Sequence, residues 1–124
     1  MVEMASIGFD AVYLDPPEPI NASFVGPSVD MRNYRDVAFQ IVWTNVANDL
    51  DGTMRLQISN DGSVWVQHVE SDVIIAAGVD PQGEKSHIWE VDEVTARFVR
   101  FQWVRAAGGA VGETASGSVT RKTA

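Results

Sequence analysis

Two histidines are the first candidates for chemistry in this chain of 124 residues, because an imidazole can act as a general base or bind a metal ion. His68 and His87 fall on different predicted strands, and neither stands at a metal-ligand spacing from an acidic residue or from the other histidine. The chain has no cysteine, and no serine lies in a G-x-S-x-G motif. The sequence therefore predicts no catalytic site, and we expect a protein that is not an enzyme and needs no cofactor.

The acidic stretch 49–52 (DLDG) invites a calcium interpretation. Aligning Gly52 with the sixth position of an EF-hand loop places Ala47 at position 1 and Ile58 at position 12, where Asp and Glu are required. An EF-hand is excluded. The other acidic pair, Asp92-Glu93, cannot share one substrate, because adjacent residues of a strand face opposite sides.

The composition limits the classes of partner that the protein is expected to bind. A net charge of −8 argues against nucleic acid. A hydrophobic content of 45% with four Trp and five Phe predicts one folded domain spanning residues 1–124. No run approaches the 18 apolar residues of a membrane span, and residues 1–19 lack the features of a signal peptide. Together with the absence of cysteine, this predicts a protein made in a reducing cytoplasm that has no membrane partner.

The charge is distributed unevenly along the chain. Residues 1–93 contain 16 acids and four bases, a net charge of −12, whereas residues 94–124 contain one acid and five bases, a net charge of +4. Such polarity supports head-to-tail packing of identical copies. Alternatively, strands from both parts interleave in one sheet and the charges mix.

The elements that must position these residues are strands. DVAFQIVWT (36–44) alternates, with Val37, Phe39, Ile41 and Trp43 on one face. TMRLQIS (53–59) and RFVRFQWVR (97–105) alternate in the same way, which predicts Val99, Phe101 and Trp103 on one side of the latter. Further predicted strands are AVYL (11–14), SVWVQHV (63–69), VIIAA (73–77), SHIWEV (86–91) and ASGSVTRK (115–122).

Turn signals separate these strands, among them DPPEP (15–19), NDG (60–62), VDPQGE (79–84) and AAGGAVGE (106–113). Seven or eight short strands at a spacing of about ten residues predict an all-β antiparallel sandwich. Residues 1–35 have little periodicity and are predicted to form an extended N-terminal segment, with 15–35 a long surface connection. Residues 36–122 then form the core sandwich.

The hairpin SNDGSVW (59–65) has a direct physical explanation. Gly62 supplies the positive φ that a tight turn needs, and Trp65 returns on the partner strand, where an aromatic contact fixes the register. A second Trp follows at position 89, and then the strand ARFVR (96–100). In this order, the pieces resemble the discoidin-like (F5/8 type C) jelly-roll sandwich, over about residues 54–105.

That resemblance implies a β-sandwich and leaves one metal site open. Discoidin-like domains often bind a structural calcium, which makes Asp49, Asp51 and Asp61 candidate ligands, with a solvated turn as the alternative. Departures from the family are the missing cysteine pair, an unrecognisable opening in 1–35, and loops that are acidic and lack the apolar tips of membrane-binding members. The fold is therefore expected to carry over better than lipid binding.

A narrower resemblance is to small structural proteins of tailed-bacteriophage virions, carried by the same hairpin, the late strand and the ending AGGAVGETASGSVTRK (107–122). It implies a capsid decoration (cement) protein or a head or tail component, whose partners are copies of itself and a major capsid or tail protein. The expected location is the virion, after synthesis in the host cytoplasm. Arg100 and Arg105 are the candidate interface residues.

The alternative function is a discoidin-like carbohydrate-binding module. Sugar sites on such sandwiches combine an exposed aromatic with hydrogen-bonding groups at loop tips. Trp43 with Arg97 or Arg105 is the candidate set, and it requires Trp43 to be exposed, although core burial is the default for a tryptophan within a strand.

Overall fold

The computed structural model describes residues 8–78 and 85–123. Its elements are ten β-strands: β1 (Gly8–Pro19), β2 (Phe24–Val25), β3 (Val29–Asp30), β4 (Asp36–Trp43), β5 (Asp51–Ser59), β6 (Val66–Gln67), β7 (Val73–Ile75), β8 (Ser86–Val91), β9 (Phe98–Ala107) and β10 (Thr114–Lys122). The described residues contain no helix that could cross a membrane. The all-β prediction is confirmed.

The strands form two antiparallel sheets. Sheet A has the order β1-β10-β4-β8, and sheet B has the order β2-β9-β5-β6, with β3 also paired to β9 and β7 to β5. The basic C-terminal strands β9 and β10 are therefore central in their sheets, flanked by strands from the acidic part of the chain. Interleaving mixes the two parts, as the second interpretation of the charge pattern required.

The core lies between the sheets and follows the predicted alternation. Large side chains that are fully buried come from both layers: Phe39, Ile41 and Trp43 of β4, Met54 and Leu56 of β5, and Val99, Phe101 and Trp103 of β9. The rings of Trp89 and Phe101 are in contact across the two sheets, with centroids 5.8 Å apart. Burial of this apolar area is the main stabilising term of the sandwich.

Two side chains complete the hydrogen bonding of sheet B where its edge strands are interrupted. Between β2 and β3, the hydroxyl of Tyr13 accepts a hydrogen bond from the Phe101 N–H at 3.1 Å and donates one to the Pro27 carbonyl at 2.7 Å. Between β6 and β7, the Ser71 hydroxyl accepts a bond from the Leu56 N–H at 3.1 Å. The interior strands β5 and β9 thus keep their buried polar groups paired although their neighbours are short.

The prediction that residues 15–35 form a surface connection is wrong. DPPEP continues β1 as far as Pro19, since a register shift between Tyr13 and Glu18 lets the strand pair with β10 again. Ile20, Val29 and Met31 are buried in the core, and β2 and β3 join sheet B. The first seven residues of the predicted N-terminal segment, and the predicted turn at 79–84, lie outside the described residues.

The predicted strands at 63–69 and 73–77 are shorter than expected, at Val66–Gln67 and Val73–Ile75. The cause of the first shortening lies in the turn before Val66. Asp61 binds the backbone of Ser63 and Val64 at 2.8 and 2.9 Å, while Gly62 has φ of 78°, so the chain stays in the turn through these residues. Pairing with β5 begins only at Val66.

Candidate interaction surfaces

The chemistry-bearing residues of the sequence do not converge in the structure. Among the described residues, no three His, Asp or Glu side chains are grouped so as to hold a metal ion. Asp51 begins β5, whereas Asp61 follows the end of that nine-residue strand, about 30 Å away at 3.3 Å per residue. Asp49 accepts a hydrogen bond from the Gly109 N–H at 3.2 Å. The three aspartates proposed as calcium ligands therefore lie in two separate loops. The prediction that they could bind one calcium ion together is corrected.

Asp61 has its own structural use. Its carboxylate accepts the N–H groups of Val64 and Ser63 and the hydroxyl of Ser59 at 3.0 Å. These bonds, that of Val64 first, hold the pKa of the Asp61 carboxyl below its usual range. The side chain stabilises the hairpin.

The carbohydrate candidates are also corrected. Trp43 is 1% exposed, so its ring cannot stack on a sugar. Arg97 precedes β9 and Arg105 lies near its other end, about 26 Å away by strand rise, so one ligand cannot use both. The tryptophan that escapes full burial is Trp65.

The two interface candidates are engaged within the chain. The Arg100 guanidinium lies over the Trp65 ring, 4.1 Å from its centroid, and its Nε donates to the Gln57 side chain at 2.8 Å. Arg105 donates from Nε to the Gly108 carbonyl at 2.6 Å. Desolvation lowers the pKa of Arg100, which remains charged at neutral pH. Contacts of either arginine with a partner chain stay a prediction.

On the outer face of sheet B, the polar side chains bond to one another. Arg55 forms an ion pair with Asp72, with Nε and Oδ1 2.9 Å apart, and also donates to Gln102 at 3.4 Å. The Arg100–Gln57 bond lies beside it on the same strands. These contacts place charged and polar groups near the centre of this face, while Val25, Ile74 and Val104 are exposed at other positions of the same face.

The outer face of sheet A is uncharged at its centre. Val12, Ser118, Gln40 and Ile88 stand side by side across its four strands, one from each. Val12 is 71% exposed and Ile88 50%, so both present apolar surface. The adjacent row adds Ser116, Val42 and Ser86, which are uncharged too. We call these seven residues the neutral face.

One end of the sandwich carries two apolar loop tips. This loop end comprises residues 44–50 and 108–113. The carboxylate of buried Glu113 accepts hydrogen bonds from the Val46 N–H and from the Ala110 N–H, the latter at 3.0 Å, and so holds the two loops together. Val46 is 86% exposed and Val111 91%. A buried carboxylate therefore fixes two valines that project into solvent.

The opposite end carries a groove. This hairpin end comprises residues 30–35, 58–66 and 96–97. A groove of about 270 Å³ is lined there on its apolar side by Ile58, Val64, Val66 and Ala96. Arg97 lies next to Ala96, with its guanidinium 4.9 Å from the centroid of the Phe98 ring.

None of the three surfaces (the neutral face, the loop end and the hairpin end) was predicted from the sequence. Val12 and Ile88 were expected within strands, but their alignment across four strands depends on register, which no local pattern reveals. Val46 and Val111 lie in loops that read as acidic or Gly-rich. The signal that could have found them is an isolated valine between turn residues, and such signals are weak.

Comparison with known proteins finds a solved structure with a similar fold. No protein-family model matches the chain, and no curated protein sequence matches it. The crystal structure of SPBc2 prophage-derived protein YomS is similar, with a TM-score of 0.61 at 9% identity over 94% of this chain and 96% of that one. A chain in the structure of infectious bursal disease virus Gx strain gives a TM-score of 0.48 at 12% identity, and this chain spans 30% of its length. The likeness to YomS shows a shared fold, while the discoidin-like assignment stays a prediction.

Proposed function

We propose that this chain is a structural protein of a phage virion, a capsid decoration protein or a head or tail component, and that it is held in the particle by protein–protein contacts through the neutral face. The observation that carries this proposal is the lack of charge across the centre of sheet A in a chain with a net charge of −8. A partner can approach this face without opposing like charges, which are costly at a dry interface.

The composition of the neutral face suits a packed interface. Apart from Gln40, its side chains are short or β-branched, so they lose little rotamer entropy on burial, and Val12, Val42 and Ile88 supply apolar area. Charged residues are depleted from the centres of protein interfaces in the same way. The outer face of sheet B differs in carrying the Arg55–Asp72 ion pair, which a partner covering that face would have to desolvate.

The comparison adds support of a second kind. The prophage-derived protein YomS has this fold over nearly its whole length, with no large insertion in either chain to carry an active site. A small sandwich that keeps its shape at 9% identity is consistent with a role that depends on shape and surface.

The proposal is tested by incorporation of variants into particles of the phage whose genome encodes the chain. Ile88→Glu places an acid at the centre of the neutral face, and we expect at least a tenfold drop in copies per purified particle. Ile74→Glu is the matched control, because Ile74 is also exposed on a short strand but in sheet B. Equal incorporation of both variants would refute a role for the neutral face.

A further inference from the structure

Strand β8 forms one edge of sheet A, and among the described residues only β4 pairs with it. The Trp43 N–H donates to the Lys85 carbonyl at 2.9 Å, and this pair continues the register of the two strands. Since an antiparallel strand bonds to the same neighbour at every second residue, the N–H and C=O groups of Ser86, Ile88 and Glu90 point away from β4. In the part of the chain that the structure describes, these groups have no hydrogen-bond partner.

The other edges of the described sheets carry features that discourage pairing with another chain. The opposite edge of sheet A, β1, contains three prolines and a register shift between Tyr13 and Glu18. At the edges of sheet B, β2, β3, β6 and β7 are two or three residues long. Prolines, bulges and very short strands are common protections of an exposed edge. Strand β8 has none of them, because it is six residues long, lacks proline and pairs with β4 in unbroken register.

We infer that β8 pairs antiparallel with β8 of a second copy of this chain, so that two copies of sheet A become one eight-stranded sheet. The copies are related by a twofold axis that is perpendicular to the sheet and passes beside Ile88. Ile88 is then opposite Ile88 of the second copy, and Ser86 is opposite Glu90 of the second copy. Each opposed pair exchanges two backbone hydrogen bonds, about six in all.

The sequence of β8 fits itself in this register. Ile88 is 50% exposed, and the two isoleucines cover each other at the axis. The Ser86 hydroxyl can donate to the Glu90 carboxylate opposite it. A shift of two residues would oppose Ile88 to Ser86 or to Glu90 and lose the isoleucine pair, and a shift of one residue would place the two cores on opposite faces of the joined sheet.

The antiparallel arrangement also keeps the acids of the two copies apart. Glu90 lies two residues from the axis, so its two copies are about 13 Å apart at about 3.3 Å per residue. This separation exceeds the Debye length of about 8 Å at physiological ionic strength. Asp92 lies beyond the end of β8 and is therefore still further from its counterpart. A parallel pairing of two β8 strands would place these acids side by side.

The pairing makes the neutral face continuous between the two copies. Because the axis is perpendicular to the sheet, the outer faces of both copies of sheet A lie on the same side. The uncharged row across β1, β10, β4 and β8 then continues through the second copy in reverse order. The inference rests on the proposed function in this respect, since a twofold dimer presents a doubled uncharged surface to the particle.

Glu90→Pro tests the edge without changing any residue of the neutral face. It removes an N–H that points away from β4, so the bonds to β4 are retained, and the proline ring obstructs the position of the second strand. Glu90→Ala is the matched control, because it removes the same side chain and keeps the N–H. Thermal melts check that both variants are folded.

Light scattering after gel filtration, from micromolar to millimolar protein, measures the association. We expect the unmodified chain and Glu90→Ala to pass from monomer to dimer with increasing concentration and to form nothing larger. Glu90→Pro should have a dimer dissociation constant at least tenfold higher.

Single cysteines test the register without relying on proline. The chain has no cysteine, so each variant carries one thiol. Ile88→Cys places the two thiols at the axis with Cα atoms about 5.5 Å apart, which a disulfide can span. Glu90→Cys places them about 13 Å apart, which it cannot span. We expect Ile88→Cys to form the disulfide-linked dimer at least tenfold faster in air.

Three results would overturn the inference. One is an unmodified chain that is monomeric at every concentration, as expected if β8 receives a strand of a different protein. The others are a folded Glu90→Pro variant that dimerises as well as Glu90→Ala, and equal rates of linkage for the two cysteine variants. All three are measured without particles, so they are distinct from a failure of the proposed function, which is equal incorporation of Ile88→Glu and Ile74→Glu.

Discussion

Replacing Tyr13 with phenylalanine removes one oxygen from the core, and we expect it to destabilise the protein by about 2–3 kcal/mol. The hydroxyl is the partner of the buried Phe101 N–H at 3.1 Å and of the Pro27 carbonyl at 2.7 Å. A buried donor left without a partner costs about 1–3 kcal/mol, and loss of the second bond adds about 1 kcal/mol. No strand residue can replace the hydroxyl, because β2 ends at Val25 and β3 begins at Val29.

Urea unfolding followed by tryptophan fluorescence measures this effect. With a slope of about 1–3 kcal/mol per molar urea, the midpoint should fall by about 1–2 M at unchanged slope. Tyr34→Phe is the control, since the Tyr34 hydroxyl makes no hydrogen bond among the described residues, and its ring lies under Arg121. We expect that control to shift stability by less than about 0.5 kcal/mol. Equal effects of the two substitutions would refute the bridging role of Tyr13.

The burial of Tyr13 also predicts how the stability of the protein depends on pH. Burial raises the pKa of its phenol well above the usual value of about 10. Folding therefore favours the protonated hydroxyl, whose contribution is complete below pH 10 and is lost as the pH rises towards the folded-state pKa. Stability should fall with a steeper slope above pH 10 than in Tyr13→Phe, and parallel alkaline limbs in the two proteins would contradict this assignment.

Three further substitutions test other contacts. Glu113→Ala leaves two loop amides without a charged acceptor and should cost about 3 kcal/mol in urea unfolding, with Glu113→Gln recovering part of the loss. Gly26→Ala should cost about 1–3 kcal/mol of stability, because a Cβ there would lie 2.4 Å from the Tyr13 hydroxyl oxygen. That cost should be smaller in a Tyr13→Phe background, and strictly additive stability losses of the two substitutions would contradict the clash. Asp61→Ala should make stability fall less steeply on acidification. The lowered pKa of Asp61 contributes stability above about pH 4, and that contribution is lost as the pH falls through the folded-state pKa. The same pH dependence of stability between pH 5 and pH 2 in both proteins would contradict this role of Asp61.

The central strands could be predicted from sequence because their signal is local. In β4, Val37, Phe39, Ile41 and Trp43 occupy every second position, and each is buried as expected. The same holds for Val99, Phe101 and Trp103 in β9. Period two reports a half-buried strand wherever one face meets the core, and no knowledge of the partner strand is needed.

The prediction failed where pairing overrides local preference. Prolines 16, 17 and 19 indicate a turn, yet β1 is an edge strand whose outer side needs no N–H donors, so proline is tolerated there. Trp65 was expected within the partner strand of the hairpin. Instead the Asp61 turn keeps the chain out of the sheet, and the indole lies at the surface against Arg100.

The interaction surfaces could not be predicted, because each is assembled from distant segments. The neutral face takes its residues from four strands that lie up to 106 positions apart in the sequence, and Val12 and Ser118 are neighbours because β1 pairs with β10. The loop end depends on Glu113, whose carboxylate reaches back 67 positions to the Val46 amide. A single sequence shows the residues and hides these adjacencies.

The most direct test of the proposed role is the composition of the particle itself. Quantitative mass spectrometry of density-purified virions, with the major capsid protein as the internal standard, gives the number of copies of this chain per particle. We predict a fixed ratio that does not change when the particles are purified again through a second gradient. A chain that is abundant in the infected-cell lysate but absent from the purified particles would contradict a structural role in the virion.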